Sequence, residues 1–101
     1  LPFFNLDKIR AAASQQRIRY KGLKVPKDIK NLGYTLEEVS TCIISLTPAD
    51  FQKTIEYPDQ SAHDVYIKNV TQEEQTDKIY MKLRLLENGE IQIVEIGSFH
   101  L

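Results

Sequence analysis

KIYMKLRLLENGEIQIVEIGSFH, residues 78–100, reads as two strands joined by a tight turn. In the first half Ile79, Met81, Leu83 and Leu85 alternate with Tyr80, Lys82 and Arg84, the two-residue period of a strand with one face buried. The Asn88-Gly89 pair favours a primed turn, whose backbone twist matches that of the flanking strands. In the second half the apolar phase changes between Ile93 and Val94, so either both faces are covered or a bulge shifts the register.

Working back from this hairpin, DVYIKNV predicts another strand, with Val65 and Ile67 on one face and Tyr66 and Lys68 on the other. QEEQTD reads as the polar connection between the two, and Tyr57 to Ser61 as a turn-rich loop. The N-terminal half is written in helical signals. Asn5 is placed to cap a helix over Leu6 to Gln16, Pro26 opens a short one that stops at Gly33, and Thr35 with Glu38 forms a capping box ahead of Leu36, Val39, Ile43 and Leu46. Thr47, Pro48 and Asp50 repeat the start signal, which predicts a separate helix from Pro48 to Glu56. Arg17 to Val25 suits a short half-buried strand or an extended arm. The pattern is that of an α+β domain spanning residues 1–101, an antiparallel sheet, mostly C-terminal, covered by N-terminal helices.

A chain of 101 residues has enough length for one hydrophobic core and too little for two. No apolar run approaches the roughly 18 residues that a membrane span requires, and the first residues lack the pattern of a signal peptide. With Cys42 the sole cysteine, no intrachain disulfide is available, and a reducing cytoplasm fits best. The formal net charge of −1 conceals an asymmetry. From Lys8 to Lys30, Lys8, Arg10, Arg17, Arg19, Lys21, Lys24, Lys27 and Lys30 face one acid, Asp28, whereas acids dominate the middle. The basic segment is either a surface for a polyanion or an ordinary solvated face.

Several side chains fit metal-free cleavage of RNA. That reaction needs a base for the 2′-OH proton, an acid for the departing 5′-oxygen and cations for the phosphoryl oxygens. Asp50-Phe51-Gln52-Lys53, His63-Asp64-Val65-Tyr66, Tyr80-Met81-Lys82 and Ser98-Phe99-His100 supply such groups. Together these motifs resemble the MqsR family of bacterial toxins, mRNA endonucleases of the RelE-like superfamily. The resemblance implies a RelE-like fold, mRNA as substrate with or without the ribosome, a cognate antitoxin and no cofactor. It further implies that Lys53 stabilises transition-state charge and that Tyr80 handles a proton. In the family a Gln precedes DVY and a Lys follows SF, so His63 and His100 are departures, each bringing a group that titrates near neutral pH.

Each of these residues has a plainer reading. Lys53 and the helix it is assigned to could simply be solvated, and Tyr80 could be one half of a cross-strand aromatic pair. A phenol ordinarily titrates near about 10, so a tyrosine base needs nearby cations, and Lys82 and Arg84 fall on the same strand face as Tyr80. Those two, with Arg17, Arg19, Lys21 and Lys24, are the candidate RNA-backbone contacts. His63 either moves a proton or only donates a hydrogen bond, as Gln would. Asp64 and Tyr66 read as structural, and Cys42 as a small buried filler. His63 and His100 are far apart in sequence with no second ligand at helical spacing, which argues against zinc, and glycine-rich phosphate loops are absent. Two other readings remain: a non-enzymatic RelE-like module that inhibits a protein target, and an inactive relic.

Overall fold

The computed structural model describes residues 1–101. The chain runs α1 (Leu6–Ser14), β1 (Ile18–Tyr20), α2 (Lys24–Leu32), α3 (Leu36–Ile44), β2 (Phe51–Glu56), β3 (Ala62–Gln72), β4 (Gln75–Asn88) and β5 (Ile91–His100). Three helices cover one face of a five-stranded sheet ordered β1-β5-β4-β3-β2. The α+β arrangement agrees with the sequence pattern, with one correction. β1 runs parallel to β5, so the sheet is mixed rather than wholly antiparallel.

The helix signals operate locally as their chemistry requires. The Asn5 side chain accepts from the Lys8 amide at 3.0 Å, and Thr35 and Glu38 exchange both capping-box bonds, at 2.8 and 3.2 Å. α2 begins two residues before Pro26, which still lies in the first turn where a missing N–H costs nothing. It ends at Gly33, whose φ of 79° is left-handed. Ile9, Ala13, Val39, Ile43 and Leu46 from the helical half meet Ile79, Met81, Leu83, Val94, Ile96 and Phe99 from the sheet in one core of 19 buried residues. Cys42 belongs to that core, where burial pushes its thiol up to about 11, as suits an inert filler. No helix is long and apolar enough to cross a membrane.

The segment Pro48 to Glu56 is the main departure from the sequence reading. Its start signal is genuine, since the Thr47 amide donates to Asp50 at 2.8 Å, but it yields only a single 3₁₀ turn, Pro48–Asp50. From Phe51 the chain pairs with β3. Thr54 and Ile55 are β-branched, and pairing supplies backbone partners for β3, so tertiary contacts override one turn of capping chemistry. A bulge between Phe51 and Lys53 turns Phe51 toward the helices and Ile55 away from them. Lys53 therefore sits on an edge strand.

A smaller correction concerns the connection between β3 and β4. The Gln72–Gln75 connection is a two-residue hairpin with left-handed φ of 49° and 74° at Glu73 and Glu74, so most of the expected polar loop is strand. The faces of β3 alternate as the sequence predicts: Tyr66 joins the core, while Val65 and Ile67 share the opposite face with Tyr80 and Lys82. The phase change in β5 reflects burial on both faces, with Val94 in the core and Ile93 half-buried on the helix-free face opposite Leu86, and the register is continuous there. A bulge comes later, at Gly97, and lets Phe99 return to the core.

The Tyr66 hydroxyl is enclosed without a hydrogen-bond partner, and burial followed by the Asp64 carboxylate pushes its phenol up to about 12. An unpaired buried hydroxyl offsets part of the stability its ring provides. Tyr66→Phe should therefore leave unfolding free energy unchanged or raise it by up to about 1 kcal/mol, as measured by urea denaturation; a loss of more than about 1 kcal/mol would reveal a hidden partner for the hydroxyl.

Candidate active site on the helix-free face of the sheet

Strand register places all four candidate catalytic residues on the face that the helices leave open. Three successive rows of cross-strand neighbours matter. In the first, Tyr80 on β4 pairs with His100 on β5 and Ile67 on β3. Next, Lys82 lies opposite Val65 and Ser98, and Val65 is opposite Lys53 on β2. In the third, Arg84 pairs with Glu95, which pairs with Arg19 on β1, and His63 faces Ile55. Rows on one face are spaced by about 7 Å along a strand.

The structure divides the candidates into two groups. The Tyr80 and His100 rings stack at 5.1 Å between centroids and 13° between planes. The His100 Nδ1 lies 2.9 Å from the Leu101 backbone oxygen, and because an oxygen only accepts there, Nδ1 carries the proton and Nε2 is left for exchange. Lys53 projects from the edge strand in the neighbouring row and is exposed. Its place on this face is kept even though the predicted helix beneath it is absent.

His63 forms the second group. It is 1% exposed, and neither ring nitrogen has a hydrogen-bond partner. Its ring meets Tyr57 edge-on at 5.3 Å and 89°. The Tyr57 oxygen accepts from Lys82 Nζ at 2.7 Å, and that ammonium also lies 5.4 Å from the Tyr57 ring centroid. The imidazole leans across β4 as far as the Gly97 bulge. A Cβ at Gly97 would lie 3.3 Å from both His63 Cδ2 and Lys82 Cε, so the bulge keeps space that any side chain would fill. Lys21, Gly22, Tyr57, His63, Lys82 and Gly97 line a cleft of about 370 Å³. Burial, then the charges of Lys21, Lys82 and Arg84, hold the His63 imidazole below its ordinary value, with Glu95 opposing them. The ring is neutral near pH 7.

Of the basic candidates, Arg19, Lys21, Lys82 and Arg84 come together around this face, and Arg17 leads into β1. Lys24 does not join them. It opens α2 and is paired with Asp28 at 2.6 Å. The buried Glu95 is held by Arg19 at 3.4 Å and Arg84 at 3.9 Å, so part of the positive charge is neutralised within the sheet. No group of three or more His, Cys, Asp or Glu side chains converges anywhere in the chain.

Three contributors, Tyr57, Gly97 and Glu95, carry no site signal in the sequence: Tyr57 falls in the turn-rich loop, and only strand register brings the three beside His63 and Arg84. Asp64 fulfils its structural reading. Its fully buried carboxylate accepts from the Phe3 amide at 3.0 Å, the Phe4 amide at 2.8 Å and the Thr54 hydroxyl at 2.6 Å. It thus ties the segment ahead of α1, and β2, to the residue next to His63.

Comparison with known proteins agrees with the motif reading. A family model described as "Motility quorum-sensing regulator, toxin of MqsA" matches residues 1–100. No individually curated protein matches the chain. With nearly the whole sequence matched, and with DFQK, HDVY, YMK and SFH all on paired strands or at their borders, the chain belongs to the MqsR toxin family, the toxin component of toxin–antitoxin systems.

Proposed function

We propose that this toxin is an endoribonuclease that cuts mRNA by attack of the 2′-OH on the adjacent phosphate. The observation that carries the reading is the shared face: Tyr80 stacked on His100, with Lys53 and Lys82 in the next row. The new bond joins the 2′-oxygen to phosphorus and the bond to the 5′-oxygen breaks. Tyr80, as its phenolate, takes the 2′-OH proton, and His100, protonated on both ring nitrogens, gives the Nε2 proton to the departing 5′-oxygen. Lys53 stabilises the charge that builds on the non-bridging oxygens. His63 contacts substrate rather than the reacting atoms, because its ring lies on the far side of Lys82 from the Tyr80 row. The chain supplies acid, base and cations itself, so no cofactor is assigned. A cognate antitoxin, the counterpart named in the family description, restrains this activity in the cell.

Purified protein incubated with mRNA in excess EDTA should cleave it, and Lys53→Ala and Tyr80→Phe should each abolish most of that cleavage. Intact RNA at high protein concentration would instead favour a toxin that inhibits a protein target.

A further inference from the structure

We propose that the cleft formed by Lys21, Tyr57, His63 and Lys82 is a subsite for a second RNA phosphate, the one adjoining the phosphate under attack. The inference rests on the endoribonuclease reading and extends it to Lys21 and Tyr57, giving His63 and Lys82 a specific ligand. Four observations converge on it. A buried imidazole with two unpartnered nitrogens is costly unless something satisfies it, and this one faces a cleft. The cleft lining holds two ammonium groups and no acid, and the nearest buried acid, Glu95, is engaged by Arg19 and Arg84. Lys21 has no ion-pair or hydrogen-bond partner for its side chain, and Lys82 spends one of its three donors on Tyr57. Because that ammonium donates to the Tyr57 oxygen, the phenol's own O–H is left for an acceptor. All four groups can donate to one tetrahedral anion.

An anion suits the cleft better than a nucleobase, because its polar lining is made of donors and its one aromatic ring, Tyr57, is packed against His63 at 89°. The spacing also agrees with a phosphate. Lys82 is one row, about 7 Å, from the Tyr80–His100 pair, a separation comparable with that of successive phosphates in an extended strand. Gly97 is the structural requirement for the subsite, since its backbone has no left-handed φ and its missing side chain is what leaves His63 and Lys82 room.

An anion seated here would also change the charge state of His63. Lys21, Lys82 and Arg84 surround the ring, Glu95 is the one opposing acid, and Tyr57 packs on it edge-on. Adding a phosphate offsets the three cations, so RNA binding raises the ring's affinity for a proton.

The test compares 2′-O-methyl RNA oligomers carrying one internal phosphate or two, which bind without being cut. The two-phosphate oligomer should bind wild-type protein at least about tenfold more tightly, roughly the worth of one charge-assisted contact. In Lys21→Gln that ratio should fall below about threefold. His63 ring signals in NMR should show its titration move to higher pH with the two-phosphate oligomer and stay put with the one-phosphate oligomer. Equal affinities in wild-type protein, or an unaltered ratio in Lys21→Gln, would overturn the proposal. A His63 titration that responds to inorganic phosphate but not to the longer oligomer would also overturn it, marking a free-anion site. Because these oligomers cannot be cleaved, the result stands apart from the cleavage assay, whose failure would reject the enzyme reading alone.

Discussion

Tyr80→Phe should lower the rate of RNA cleavage by about 10²- to 10⁴-fold, the usual worth of a positioned general base. The substitution keeps the aromatic ring that stacks on His100, so it removes one oxygen and little packing. The loss should appear in kcat, with KM changed by less than about threefold, because the phenol acts on a proton that moves only in the transition state. Lys53→Ala should cost a comparable factor of about 10² to 10³ by removing charge stabilisation. Lys53 is exposed on an edge strand, so this variant should fold as the parent does. Loss of less than about tenfold in Tyr80→Phe would restrict Tyr80 to its role as a stacking partner and leave the base to another group.

The largest effect on stability should come from Asp64→Ala. Its carboxylate is fully buried and accepts three hydrogen bonds, from Phe3, Phe4 and Thr54, at 2.6 to 3.0 Å. Hydrogen bonds to charged groups contribute about 1.5–3 kcal/mol each, but the Phe3 amide is near solvent and would recover part of its loss. The net cost should be about 3 kcal/mol, a drop in Tm of more than about 10 °C for a domain of this size. Asp64→Asn, which keeps one acceptor oxygen, should fall in between. Thermal and urea unfolding measure both. A cost below about 1 kcal/mol for Asp64→Ala would mean that the segment ahead of α1 is held by packing of Phe4 and Leu6 alone. Asp64 lies between His63 and Val65, so the same variant should loosen the cleft without contacting RNA.

Where sequence patterns sufficed, the reason is that the determinants are local. The capping box at Thr35 and Glu38, the left-handed stop at Gly33 and the alternation from Ile79 to Leu85 each require only neighbours along the chain, and each forms as read. Pro48 to Glu56 failed for the complementary reason. A single turn, costly to nucleate, has little stability of its own, and the unpaired edge of β3 draws the chain from Phe51 onward into the sheet, an edge invisible in the segment itself. The alternation in β3, Val65 and Ile67 against Tyr66 and Lys68, forms as read, but which of the two faces meets the helices depends on the rest of the sheet, and it is the Tyr66 face. The motif residues were legible because their types are chemically specific. Their division into a Tyr80–His100 pair and a His63–Tyr57–Lys82 cleft was not, because it depends on the register between β3, β4 and β5 and on one extra residue at Gly97.

The RNA ends left by the purified toxin in EDTA test the central claim most directly. Attack by the 2′-OH, with proton transfer by protein groups, predicts a 2′,3′-cyclic phosphate on the upstream fragment and a 5′-OH on the downstream one, formed at an undiminished rate when divalent cations are removed and lost in Tyr80→Phe. Fragments bearing a 5′-phosphate, or cleavage that stops in EDTA and returns with added divalent cation, would contradict it.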